Sequence, residues 1–148
     1  MATGSTPPEG AADGTSTPPP SPCRWEVDVS RTFDAAPEVV WDVLVSERGL
    51  AIWLGDEARL DPADDRWSSR DDDGEVERFV PGERVRLRLP TDDGTHETCA
   101  RLVVAAVDGG RARLELHEEE LRDPGERMRR RHHWRGVADR LEAVLRER

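Results

Sequence analysis

The chain has 148 residues, with 22 basic against 32 acidic side chains and a formal charge of −10; that is enough for one ordinary domain and not comfortably for two. The acidic balance argues against a duplex-DNA or anionic-membrane binder, whose affinity rests on a basic surface. The longest apolar run, Leu102 to Val107, falls far short of the ~18 residues of a membrane span, and two cysteines make neither a disulfide framework nor a zinc site by themselves, which suits a reducing, cytoplasmic compartment.

Residues 1–23 hold Pro7, Pro8, Pro18, Pro19, Pro20 and Pro22 among Gly, Ser, Thr and Ala. Such a segment buries too little apolar surface to offset its ordering entropy and reads as a disordered tail. It lacks the basic start and apolar stretch of a secretory signal. Cys23 at its edge reads as an inert free thiol. The domain is expected over residues 24–148.

From Arg24 the pattern changes. Trp25, Val27, Val29, Arg31 and Phe33 alternate with Glu26, Asp28, Ser30 and Thr32, the period of a half-buried strand. Arg31 is the exception on the apolar face, placed at the strand end or aimed into a cavity. Pro37 and Glu38 suit the first turn of a helix carrying Val40, Trp41 and Leu44. Ser46 is positioned to cap a second short helix with Leu50 and Trp53, ended by Gly55. Strand-like pieces follow at Glu57 to Leu60, from Trp67, at Glu75 to Val80 and across Val85, Leu87 and Leu89. They are separated by the acidic turns Asp61 to Asp65 and Asp71 to Gly74, by Pro81-Gly82, and by Thr91 to Gly94. His96 to Val107 is a long strand, Asp108-Gly109-Gly110 a hairpin signal, and Ala112, Leu114 and Leu116 mark the strand after it. Asp123-Pro124-Gly125-Glu126 gives N-cap, proline and N3 acid for a final helix of about 20 residues. Its expected stripe is Met128, Trp134, Val137, Ala138, Leu141, Val144 and Leu145, with Arg131 interrupting it.

A strand, two short helices, a run of antiparallel strands and one long helix form an α+β arrangement in which the long helix covers the apolar face of the sheet. With Val29 to Trp41, Trp53, Leu60-Asp61-Pro62, Arg66-Trp67, Gly74-Glu75-Val76, Leu114 to Leu121 and Met128 to Trp134, the chain resembles the START-like (SRPBCC) helix-grip superfamily, in its Hsp90-ATPase-activator-homologue (AHSA1-like) group. The resemblance spans about residues 24–146. It implies a curved antiparallel sheet of six to seven strands wrapped around the C-terminal helix, with a cavity between them for small apolar or amphipathic molecules. Two departures stand out: Asp64-Asp65 replaces a Gly-Gly pair, and the last strand ends His117-Glu118-Glu119-Glu120-Leu121. That ending sets Glu118, not His117, on the inward face with Leu114 and Leu116.

The expected ligand-binding residues are therefore Trp41, Trp53, Trp67, Leu87, Leu102, Leu114, Leu116, Glu118, Met128, Arg131 and Trp134, with Val85 beside them. Apolar walls with few polar groups make a small-molecule pocket; the alternative is a close-packed core. Arg131 lies on the helix stripe, and an Arg131–Glu118 pair, or Arg31 in place of either member, is expected to mark the polar end of the pocket and orient a ligand carboxylate; otherwise Arg131 snorkels to water. His117-Glu118-Glu119-Glu120 lacks the second histidine of a zincin motif, since position 121 is Leu, and adjacent His132 and His133 point about 100° apart on a helix; no metal or other cofactor is expected. Cys99 reads as a buried strand thiol. No catalytic residues are expected, and no nucleic acid or membrane partner. The alternatives are a cyclase- or isomerase-type enzyme using polar pocket residues, or a chaperone-linked, stress-response interaction module; a homodimer is a further partner expectation.

Overall fold

A computed structural model describes residues 25–91 and 94–147. The proline-rich tail, Cys23, Arg24, and Asp92 and Asp93 of the expected Thr91–Gly94 turn lie outside the described residues.

The elements run β1 (Trp25–Phe33), α1 (Pro37–Val45), α2 (Glu47–Trp53), β2 (Arg59–Asp61), β3 (Arg66–Ser68), β4 (Asp73–Val80), β5 (Arg84–Pro90), β6 (Glu97–Val107), β7 (Arg111–Leu121) and α3 (Pro124–Arg146). The seven strands form one antiparallel sheet in the order β1-β7-β6-β5-β4-β3-β2. Everything from β2 to β7 is thus a meander of hairpins, with β1 closing on the last strand. The fold is the expected α+β helix-grip.

Alternation sets the faces. Leu87 pairs with Ala100, Leu102 with Leu116 and Val104 with Leu114, all on the concave side, and all are buried. The α3 face of Trp134, Val137, Ala138, Leu141 and Val144 closes over β1 and β7 and meets α1 and α2. Asp123 caps α3 as expected, its carboxylate accepting from Glu126 N at 2.8 Å. Glu126 accepts from Arg122 N at 2.7 Å, so both acids satisfy backbone donors at the helix start.

Local details differ from the alternation pattern where the backbone turns left-handed. Glu57 (φ 60°) leaves the short strand beginning at Arg59, not Glu57. Glu120 (φ 69°), with a register shift on β1 between Trp25 and Val27, makes a bulge that returns Leu121 to the core three residues after Glu118. Cys99 is buried and free, and burial pushes its thiol up to about 11 despite the neighbouring Arg86. No helix among the described residues is long and apolar enough to cross a membrane.

Candidate functional site

A cleft of about 710 Å³ opens at the β2 end of the sheet, between the α1–α2 elbow, β2 and Phe79 of β4. Its walls are Val45, Leu50, Ala58, Leu60, Pro62 and Phe79, with Glu47, Glu57 and Arg59 also lining it. The elbow is built by Ser46. Its hydroxyl donates to Val43 O at 2.7 Å and accepts from Gly49 N at 3.0 Å, ending one helix and capping the next. A Cβ on Gly49 would lie 1.8 Å from Val43 O, so only glycine allows the two helices to meet this closely. Val45 and Leu50 on either side of the elbow therefore share one wall. The floor is Phe79 of β4, whose ring tilts against Trp41 of α1 with centroids 5.7 Å apart.

A second, more polar cleft of about 260 Å³ opens between the end of α2, the ends of β3 to β5 and the middle of α3. Trp53, Trp67, Leu89 and Pro90 line it with Arg130, His133, Arg140 and Asp72. Both indoles are anchored: Trp53 Nε1 donates to Leu44 O at 2.9 Å and Trp67 Nε1 to Arg88 O at 2.8 Å. Gly74 makes the second bond feasible, since a Cβ there would sit 2.4 Å from Trp67 Nε1. Burial, then the charge of Arg130, lowers the His133 pKa to about 4, so the ring is neutral at ordinary pH. Its Nε2 is buried and finds no hydrogen-bond partner.

Between α3 and β7 lies a closed polar cluster around Glu118, which is 1% exposed. Arg130 Nε donates to Glu118 Oε1 at 2.7 Å and Trp134 Nε1 to the same oxygen at 2.8 Å, while the Thr98 hydroxyl donates to Oε2. Arg130 also lies over the Trp134 ring, 5.6 Å from its centroid. The space beside this carboxylate is about 10 Å³, room for a water at most. Glu118 is thus a satisfied structural anion among the described residues.

These positions sort the expected residues. Trp53 and Trp67 line the polar cleft, and Trp41 supports the floor of the large one. Leu87, Leu102, Leu114, Leu116 and Trp134, with Val85, are packed into the core at 0–1% exposure and line none of the clefts described above. Met128 and Arg131 are corrected: Met128 is 74% exposed and Arg131 is exposed as well. At 100° per residue Met128 lies about 120° from Trp134 around the helix, whereas Arg130 lies about 40° from it. Arg130, not Arg131, therefore meets Glu118. Arg31 turns toward α3 and pairs with Asp139 at 2.8 Å and Glu142 at 3.1 Å. The large cleft's residues do not stand out in the sequence because they come from an elbow, a three-residue strand with its flanks, and Phe79 of β4. The signals available were Leu50, read only as a helix position, and Leu60-Asp61-Pro62, read only for its resemblance.

The family model described as "Activator of Hsp90 ATPase homolog 1-like protein" matches residues 34–146. Among solved structures, the Mesorhizobium loti protein MLL2253 is 21% identical, with a TM-score of 0.67 over 82% of this chain and 97% of that one. The Plasmodium falciparum Hsp90 activator PFC0360w is 13% identical, with a TM-score of 0.66 over 82% and 96%. The Aha1 dimer of Colwellia psychrerythraea is 14% identical, with a TM-score of 0.63 over 81% and 95%. These structures share the fold. No curated protein matches the sequence. The chain belongs to the Activator of Hsp90 ATPase homolog 1-like family.

Proposed function

For this member of the family we propose a binding role: the domain holds a small apolar or amphipathic molecule in the cleft between the α1–α2 elbow, β2 and Phe79 of β4. The supporting observation is the cleft itself, about 710 Å³ with Val45, Leu50, Ala58, Leu60, Pro62 and Phe79 as walls. That volume and that apolar lining are those of small-molecule sites. The binding place differs from the sheet–helix interior, where the large side chains already fill the space. Glu47, Glu57 and Arg59 are exposed groups at the cleft. They favour an amphipathic ligand with its polar end outward, and they favour binding over cyclase or isomerase chemistry, which needs acid and base converging on a sheltered substrate. A reducing, cytoplasmic setting is part of the reading, in keeping with the free, buried Cys99.

The test is a titration with 1-anilinonaphthalene-8-sulfonate, an amphipathic fluorescent anion, against the full chain and Leu60→Glu. Leu60 is partly exposed on a short strand near the sheet edge, so the substitution charges the cleft without opening the core. Saturable binding that falls at least tenfold in Leu60→Glu is expected. Equal binding by both proteins would overturn the placement.

A further inference from the structure

On the convex side of the sheet, away from both clefts, we infer that His117 and Glu26, with Glu119 and Asp28 in support, form a binding site for a divalent transition-metal ion. Asp28 and His117 are direct register partners across β1 and β7. Val27 and Glu118 point into the core, so alternation turns Glu26, Asp28, His117 and Glu119 to the opposite face. There His117 Nδ1 lies 2.8 Å from Asp28 Oδ1, and Nε2 lies 3.2 Å from Glu119 Oε1 and 3.4 Å from Glu26 Oε1. Donor atoms of Glu26, Asp28 and His117 all fall within 4.8 Å of one another. The imidazole is held rigidly, 12% exposed, while the carboxylates around it reach solvent.

The chemistry of the ring makes this more than a patch of acids. A metal bound at Nε2 takes the ring in the tautomer whose Nδ1–H donates to Asp28. Nε2 and the nearby Glu26 and Glu119 oxygens then converge as three donor atoms on one cation. Histidine bound to a metal through one nitrogen, with the other hydrogen-bonded to a carboxylate, is the usual support for such a ligand. The distances fit. Metal–ligand bonds of about 2.0–2.2 Å in a tetrahedron set ligand atoms roughly 3.3–3.6 Å apart, close to the 3.2 and 3.4 Å between Nε2 and its two carboxylate neighbours. One imidazole with carboxylates selects zinc, nickel, cobalt or copper over calcium and magnesium, which prefer all-oxygen cages. Arg101 is the register partner of His117 on β6.

The test uses the full chain, stripped with a chelator, and titrates Zn²⁺ by calorimetry and Co²⁺ by its visible absorption. One ion per chain is expected. Affinity falls tenfold or more in His117→Gln, falls tenfold or more in Asp28→Asn through loss of ring orientation, and is unchanged in His132→Gln. Magnesium at the same concentration produces no signal. If far-UV circular dichroism shows His117→Gln misfolded, the Glu26→Gln/Asp28→Asn pair takes its place with the same expected loss. Absence of saturable binding up to about 1 mM, binding that survives intact in the variants, or binding that needs His132 and not His117 overturns the inference.

Discussion

Replacing Glu118 with Ala tests the cluster that fastens α3 to the sheet. The substitution leaves three donors without their acceptor: Arg130 Nε, Trp134 Nε1 and the Thr98 hydroxyl. A buried donor left unmade costs about 1–3 kcal/mol, and breaking a buried ion pair by removing one partner costs about 3–5 kcal/mol. Arg130 keeps some access to water, its side chain being 20% exposed, so the summed effect is set at about 4 kcal/mol, within the range for single broken pairs. Against a typical domain stability of about 5–15 kcal/mol this is a large fraction. With a urea slope of about 1.5–2 kcal/mol/M the unfolding midpoint falls by about 2–3 M, and tryptophan fluorescence follows it. Glu118→Gln keeps the shape and one acceptor and loses only about 1–2 kcal/mol. A double-mutant cycle with Arg130→Ala returns a coupling above about 1 kcal/mol. A Glu118→Ala loss under 1 kcal/mol, or zero coupling to Arg130, refutes the assignment of the cluster.

The helix face gives a matching contrast: Met128→Glu and Arg131→Glu change stability by no more than about 0.5 kcal/mol, whereas Trp134→Ala costs about 3–5 kcal/mol in the same urea assay. His133 is held near 4 by burial and Arg130 against an ordinary 6.5. The unfolded chain therefore takes up the proton first, and stability present above pH 6.5 is lost as pH falls toward 4, by at most about 3 kcal/mol; His133→Phe flattens that acid limb, and an unchanged limb counts against it. In a Cys23→Ser background, iodoacetamide at pH 8 modifies Cys99 about 100-fold more slowly in the folded than in the unfolded chain, the thiol being raised from 9.0 to about 11; equal rates contradict its burial. Gly74→Ala pushes a methyl group into Trp67 Nε1 and costs about 1–3 kcal/mol, measured by thermal unfolding.

Which parts of this molecule were legible beforehand follows from the range of the interactions that make them. β1, β5 and β7 declare themselves by period two, and α2 and α3 by Ser46, Asp123 and Glu126, because alternation and caps are local. The inward turn of Glu118 was legible for the same reason. The face of α3 departs from its sequence pattern at Met128, an apolar residue that stands exposed. Only Trp134 and the residues after it fix the helix phase, and counting back from them lands on Arg130. The large cleft was not legible. Its walls come from an elbow, a three-residue strand and Phe79, brought together by the sheet order rather than by any spacing. A zincin spacing along the chain says nothing of His117's partners, because Asp28 and Glu26 sit about ninety residues earlier and meet it only through the β1–β7 register.

The binding role is tested most directly by backbone amide NMR of the full chain during titration with 1-anilinonaphthalene-8-sulfonate. Saturable shifts concentrated at Val45, Leu50, Ala58, Leu60 and Phe79, with little movement at Trp53, Trp67 and His133, are the predicted result. Shifts centred on Trp53, Trp67 and His133 instead, or no saturable shifts anywhere, would contradict it.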